Sequence, residues 1–433
     1  MELIDRILES GNINAAIKAV ERNKGAAGID KMPVEALRTY FFEHGKEIIQ
    51  QIREKKYKPQ PVRRAYIPKA DGKKRPLGIP TVVDRVIQQA VAQILSLGYD
   101  RYFSEFSYGF RPNRDCHMAM KQVLTYLNEG YEWVIDLDIE KYFDTVNHDK
   151  LISILRERIN DAPTLHLIRS FLQAGVMEDG LVSATETGVP QGGPLSPVLS
   201  NVYLDKLDKE LENRGLRFAR YADDCNIFVR SEKAANRVMA SIAGWLERKL
   251  KLKVNVTKTK VVRPTYSTFL GFTFWKSTEG WKLRPAKDRK ARVCEKVKTL
   301  LCRKRAAAIP LSYTFTKLNQ ILRGWINYFR PGSMKNWLKN DFGPWMRHKV
   351  RVVILKQWKT PRTIYANLMK LNKKFGCNMT DEQIYKVANS RLGLYARTGG
   401  DVVNYLLSPK VLSMPNEKED RPGLIDPLAY YLR

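Results

Sequence analysis

Arg220-Tyr221-Ala222-Asp223-Asp224-Cys225-Asn226 is the stretch on which the reading of this chain turns. Apolar-rich runs flank it, Leu216 to Ala219 before and Ile227 to Val229 after. Two such runs around a pair of acidic residues predict a β-hairpin whose tip carries both carboxylates. Asp is an ordinary turn residue, so taken alone the stretch fits a solvated turn equally well.

A second acidic strand breaks the tie. In Trp133-Val134-Ile135-Asp136-Leu137-Asp138-Ile139, alternation puts Ile135, Leu137 and Ile139 on one face and Asp136 with Asp138 on the other. Two carboxylates on one open face are costly unless cations neutralise them. Phosphoryl transfer by two metal ions about 3.5–4 Å apart needs carboxylates from two elements meeting at one point. Asp138, Asp223 and Asp224 would supply them, and oxygen-only ligands suit Mg2+. Asp136 shares the face, and a supporting role for it is an equal reading.

The composition narrows the partner. A length of 433 residues leaves room for two or three domains. The formal charge is +30, from 75 Lys and Arg against 45 Asp and Glu. That excess favours a polyanion such as nucleic acid, with ribosomal or chromatin-like binding as the plainer alternative. Aromatic residues make up 10% of the chain, which excludes a disordered basic tail. Cys116, Cys225, Cys294, Cys302 and Cys377 form no CxxC pair, so neither a zinc finger nor a disulfide framework is supported. This fits a reducing compartment. No apolar run approaches the roughly 18 residues of a membrane span. The first residues lack a signal-peptide pattern, so a cytoplasmic, bacterial protein without a membrane partner is expected.

Residues 1–60 read as helical, with a glycine-punctuated loop at Lys24-Gly25-Ala26-Ala27-Gly28-Ile29-Asp30. Residues 62–80 read as a hairpin turning at Asp71-Gly72 and bearing Arg63, Arg64, Lys69, Lys73, Lys74 and Arg75. These cations suit a triphosphate, or a solvated edge strand. Helices are expected at 81–97 and 116–127, with an aromatic and glycine-rich segment at 103–114 between them. Gly188-Val189-Pro190-Gln191-Gly192-Gly193-Pro194 leads into a helix at 198–211. Such a loop either offers N–H groups to a phosphate or simply connects elements. Residues 281–360 hold 21 Lys or Arg against 3 Asp or Glu. Helices are expected there at 288–305, 313–329 and 337–358. Trp325, Tyr328, Phe329, Trp337, Trp345 and Trp358 interleave with the cations, which suits a surface that packs internally and grips a duplex backbone. Further helices are expected at 362–374 and 381–390.

Taken in order, several motifs now combine: Lys69 with Arg75, Asp136-Leu137-Asp138-Ile139-Glu140-Lys141-Tyr142-Phe143-Asp144, Pro190-Gln191-Gly192, Tyr221-Ala222-Asp223-Asp224, Leu252-Lys253-Val254-Asn255 with Lys258-Thr259-Lys260, and Phe269-Leu270-Gly271-Phe272. The set closely resembles the reverse transcriptases encoded by bacterial group II introns, also called maturases, over nearly the whole chain. The resemblance implies an α+β right-hand polymerase with fingers, an antiparallel palm sheet and a helical thumb, followed by a small C-terminal helical domain. The implied division is a helical extension of the fingers at 1–60, fingers and palm at 61–280, a thumb or maturase domain at 281–360, and a short DNA-binding domain with a tail at 361–433. Asp138, Asp223 and Asp224, with the backbone carbonyl of Ile139, would hold two Mg2+ ions, Mn2+ being a substitute. Lys69 and Arg75 match residues that hold the triphosphate, with Arg63 assisting. Phe143 matches the ring that excludes a ribose 2′-OH, although a packed core ring is the plainer reading. Gln191 would lie beside the incoming nucleotide, with Pro190, Gly192 and Tyr221 near template and primer.

The implied activity is RNA-directed DNA synthesis joined to assistance of intron splicing. The implied partners are group II intron RNA, an RNA template with a DNA primer, dNTPs and target DNA, and pairing as a homodimer is open. A reverse transcriptase recruited by its host for defence or repair, and an RNA-binding splicing factor without polymerase activity, stay open as alternatives. The lack of a Cys- and His-rich cluster matches the short, endonuclease-lacking class C. Leu394-Tyr395 departs from the usual Trp-Arg pairing of the family.

Overall fold

The computed structural model describes residues 2–68, 72, 74–178, 180–417 and 420–433. Lys69 and Asp71, expected at a triphosphate and in a hairpin turn, lie outside the described residues. Contacts divide the chain into two compact units, Met1–Ser267 and Thr268–Arg433.

In the first unit the strands are β1 (Val62–Pro68), β2 (Lys74–Ile79), β3 (Trp133–Leu137), β4 (Val176–Glu178), β5 (Leu181–Ser183), β6 (Arg217–Tyr221), β7 (Asp224–Val229) and β8 (Lys260–Val262). They form a fingers sheet of order β2-β1-β4-β5 and a palm sheet of order β6-β7-β3-β8. The palm sheet is antiparallel throughout. In the fingers sheet β1 runs antiparallel to β2 but parallel to β4. Alternation in β3 places its residues as expected: Ile135, Leu137 and Ile139 are buried, and Asp136 and Asp138 keep partial solvent contact. The hairpin β4–β5 and the helices His148–Arg156 and Ala162–Leu172 were not among the expected elements. The expected helices lengthen to Val82–Asp100, Cys116–Asn128 and Ser196–Asn213. Thr81 caps the first of them by accepting a bond from the Asp84 N–H. One continuous core, from Ile4 to Leu252, packs these helices against the palm sheet.

The second unit holds the helices expected from residue 288 onward. It opens with β9 (Thr268–Phe269), β10 (Phe272–Ser277) and β11 (Gly280–Pro285), in the order β11-β10-β9. The helix expected at 288–305 breaks into Lys287–Leu300 and Arg303–Ala306. The one expected at 337–358 contains a π turn, Leu338–Phe342, ahead of Gly343–Gln357. Pro344 has no N–H to give, and the ladder widens just before it. The aromatic residues between the cations pack on one another. Trp325 lies 4.8 Å from Phe329 and 5.4 Å from Trp337, and Phe272 lies 5.0 Å from Phe329, ring centre to ring centre. A small separate core of Ile364, Leu368, Ile384, Ala388 and Leu406 joins the helices Pro361–Phe375, Asp381–Ala388 and Asp401–Leu406. Among the described residues no helix is long and apolar enough to cross a membrane.

The β6–β7 hairpin of the first unit rests on a buried ion pair. Arg220 and Asp208 have no exposed side-chain surface. The Arg220 Nε donates to Asp208 Oδ1 at 2.7 Å and Nη2 donates to Oδ2 at 2.5 Å. The remaining donors reach Asn201 Oδ1, Ser107 Oγ and the Ala222 carbonyl. Burial disfavours the guanidinium charge, but the Asp208 carboxylate outweighs it and raises the pKa. The segment 106–109 lies alongside β6: the Arg220 N–H donates to the Phe106 carbonyl and the Tyr108 N–H donates to the Arg220 carbonyl, both at 2.9 Å. A Cβ on Gly109 would stand 2.4 Å from the Ala222 nitrogen, so only glycine permits this approach. Asp208→Asn leaves a buried guanidinium without its countercharge. It should lower the unfolding free energy by about 3–5 kcal/mol in urea titrations followed by tryptophan fluorescence. The double variant Arg220→Met with Asp208→Leu should cost less than that single change.

Candidate active site

The strand register brings the expected carboxylates together. Leu137 of β3 pairs with Cys225 of β7, so Asp138, one residue on, comes opposite Asp224. Opposed residues of an antiparallel pair share a face, with Cβ atoms about 4.5–5.5 Å apart. Tyr221 pairs with Asp224 across the hairpin, which leaves Ala222 and Asp223 as its turn. Ala222 adopts a left-handed φ of 59°, and the Arg220 guanidinium holds its carbonyl at 2.8 Å.

The end of β3 is clamped from the other side. The Asp138 N–H donates to Thr259 Oγ1 at 3.1 Å, and the Asp138 carbonyl accepts from the Asn255 N–H at 2.8 Å. Ile139 bridges to Val254. Lys258 Nζ sits 3.4 Å from Asp138 Oδ2 and Lys260 Nζ 3.8 Å from Asp136 Oδ2. Neither lysine stood among the expected site residues, although both lie in the Lys258-Thr259-Lys260 run already quoted. Asp136 is engaged in support: its Oδ1 accepts from Ser267 Oγ at 2.6 Å and from Asn226 Nδ2 at 3.0 Å.

The carboxylates repel one another. Asp224 is pushed up to about 7, by burial first and then by the charges of Asp223, Asp136 and Asp138. Asp224 is nevertheless exposed at the start of β7, so water screens much of that burial effect and the neighbouring charges are the firmer cause. Asp223 is also raised, by burial and by Asp138, against the pull of its own N–H, Arg75 and Arg220. Asp136 is raised to about 6 by burial, against its bonds to Ser267 and Asn226 and the charge of Lys260. Among the described residues no three acidic, histidine or cysteine side chains already stand as a ready metal cage. The donor chemistry nevertheless fits a hard divalent cation: three mutually repelling carboxylates, oxygen ligands only, and one of them lightly held by a lysine.

The remaining expected residues fall in two groups. Arg75 and Gln191 meet near the carboxylates, with Arg75 Nε donating to Gln191 Oε1 at 2.8 Å. The Gly78 N–H donates to the Gln191 carbonyl at 2.7 Å, and a Cβ on Gly192 would strike the Gly78 carbonyl at 2.7 Å. The Pro190 carbonyl accepts from Ser196 Oγ at 2.6 Å. Phe143 is half-buried, its ring 5.2 Å from that of Tyr142. The Tyr221 ring lies 6.5 Å from Phe110. Arg63 stands at the base of the hairpin: its Nε and Nη2 donate to the Ala27 carbonyl at 3.1 and 2.8 Å, tying β1 to the N-terminal glycine loop.

Comparison with known proteins finds two family matches. Residues 67–274 match the reverse transcriptase (RNA-dependent DNA polymerase) family, and residues 290–372 match the group II intron maturase-specific domain. Protein YkfC of Escherichia coli is 37% identical over 243 residues, covering 47% of this chain and 64% of its own. The group II intron-encoded protein LtrA of Lactococcus lactis is 44% identical over 176 residues, covering 40% of this chain and 29% of its own. A solved chain of a partial Cas6-RT-Cas1–Cas2 complex covers 57% of this chain and 43% of its own, at 27% identity and a TM-score of 0.38. The chain thus spans less than two thirds of the curated relatives it matches. With a reverse transcriptase domain followed by a maturase-specific domain, and relatives encoded by group II introns, the chain belongs to the group II intron reverse transcriptase and maturase family.

Proposed function

We propose that the first unit is an RNA-directed DNA polymerase and that the basic second unit binds group II intron RNA and assists its splicing. The observation that carries the reading is the register that sets Asp138 opposite Asp224, with Asp223 in the adjoining turn. In this reading Asp138, Asp223 and Asp224, with the Ile139 carbonyl, hold two Mg2+ ions, and Mn2+ can replace them. Bound ions would neutralise the carboxylates and the charge developing on the transferred phosphoryl group. Asp138, which Lys258 partners here at 3.4 Å, would supply oxygen ligands together with Asp223 and Asp224. Arg75 and Lys69 meet the triphosphate of a dNTP, offsetting its charge, and Arg63 assists from the base of the hairpin. Gln191 and Phe143 border the incoming sugar, and the Phe143 ring excludes a 2′-OH. Pro190, Gly192 and Tyr221 face the template and primer. The cations at 281–360 grip duplex and intron RNA by phosphate contacts, and residues 361–433 meet target DNA.

Three outcomes test the reading. Asp223→Ala abolishes extension of oligo(dT) on poly(rA) with Mg2+ and leaves affinity for intron RNA within a few fold. A parallel loss of RNA affinity would point to a damaged fold. Phe143→Ala admits UTP opposite poly(rA), and an unchanged preference for dTTP would remove Phe143 from the gate. The third outcome concerns pH. The neighbouring carboxylates hold the Asp224 pKa above the ordinary value near 3.9, so its contribution to stability is present at low pH and is lost as pH rises toward neutrality. Asparagine cannot ionise. Asp224→Asn therefore raises the Tm at pH 8 in EDTA, and Mg2+ raises the Tm of the variant less than that of the wild type.

A further inference from the structure

The loop carrying Pro190, Gln191 and Gly192 is fastened at both ends, and one fastening is a buried histidine that the proposed reaction leaves unused. His148 opens the helix His148–Arg156 and is 4% exposed. Its Nε2 lies 2.7 Å from the Gly188 carbonyl oxygen. A carbonyl oxygen only accepts, so Nε2 carries the proton. Nδ1 is buried and meets no hydrogen-bond partner among the described residues. Burial lowers the imidazole pKa and nearby Arg169 adds to this, against the Gly188 carbonyl and Asp149. The ring is a neutral donor with a single bond.

That bond falls where the loop touches the Phe143 segment. The Gly188 N–H donates to the Val146 carbonyl at 2.8 Å, and the Val189 N–H donates to the Phe143 carbonyl at 2.6 Å. Thr187 bridges to Asn147. Gly188 has a φ of 95°, and a Cβ there would come within 2.9 Å of the Phe143 carbonyl oxygen. Three residues further on, Gln191 is tied to Gly78 and Arg75 of β2. Residues 188–191 therefore link the backbone that carries the Phe143 ring to the strand that bears Arg75.

We propose that His148 is a positioning residue for nucleotide selection: by holding the Gly188 carbonyl it sets the spacing between Phe143 and Gln191. The proposal rests on the polymerase reading. A gate discriminates by contact distance, and a displacement of about 1 Å can cost up to about a hundredfold in rate. Without the His148 bond the loop moves relative to the Phe143 ring, and a 2′-OH meets less resistance.

The test compares incorporation of dTTP and UTP opposite poly(rA) by the wild type, His148→Leu and His148→Gln, with anisotropy of a labelled template–primer as the binding control. Leucine fills the buried volume without a donor, and glutamine keeps an N–H. His148→Leu should raise the UTP-to-dTTP ratio of kcat/KM about tenfold, with the dTTP KM rising more than kcat falls. His148→Gln should recover most of the selectivity. Selection by His148→Leu equal to wild type, or equal shifts in both variants, overturns the proposal. Should His148→Leu fail to fold, Gly188→Ala takes its place: its Cβ pushes the loop off the Phe143 carbonyl and must relax selection while His148→Gln does not, and the reverse overturns the proposal. Extension by no form of the protein, wild type included, sinks the polymerase reading and this proposal together, whereas extension with equal selection sinks this proposal alone.

Discussion

The site depends on one buried charge being fully satisfied. A guanidinium offers five N–H groups, and Arg220 finds acceptors for them on Asp208, Asn201, Ser107 and Ala222. Three segments therefore converge on one side chain of β6: the helix Ser196–Asn213, the loop at 106–109 and the turn itself. A buried ion pair is seldom a large net source of stability, because desolvation offsets most of the attraction. What it provides here is position. Any rearrangement of the turn leaves a buried donor unpaired, and that penalty keeps the two acidic residues where the register of β3 needs them.

Above that support, the electrostatics run the other way. The carboxylates of Asp138, Asp223 and Asp224 lie close together, and burial with their mutual repulsion lifts the proton affinity of Asp223 and Asp224. Arg75 offsets only part of this at Asp223. The fold thus spends stability from its large helical core to hold apart charges that a cation would relieve. Binding and folding are coupled through that strain: whatever neutralises the tip also tightens it.

Much of this was legible in the sequence because it depends on short periods. Alternation in 133–139 and the apolar runs around Asp223-Asp224 give the two strands directly, and the family motifs give the order in which they matter. The elements that escaped are those set by distant partners. β4 and β5 are short and exposed, and their residues become strands only because Val62 and Arg63 pair with Val176 and Met177. β11 occupies a basic stretch in which no strand was expected, and it pairs along its whole length with β10. Arg220 was in view from the outset, but nothing local reveals that Asp208, twelve residues earlier, lies beneath it. His148 and Lys258 carry no signal of their own, since their meaning comes from a carbonyl forty residues away and a carboxylate 120 residues away. Arg63 likewise gives no local sign that its guanidinium bonds the backbone of the N-terminal loop.

Ala222 bears the cost of this arrangement in its own backbone. A left-handed φ of 59° is one that alanine resists by roughly 1 kcal/mol and glycine does not. Glycine at 222 would relieve the torsion and add freedom to the unfolded chain and to the turn alike. The hairpin would then be easier on its geometry and less certain of its aim. At this single position comfort of the main chain and constancy of the acidic tip pull against each other, and the methyl group of alanine marks where the balance has been struck.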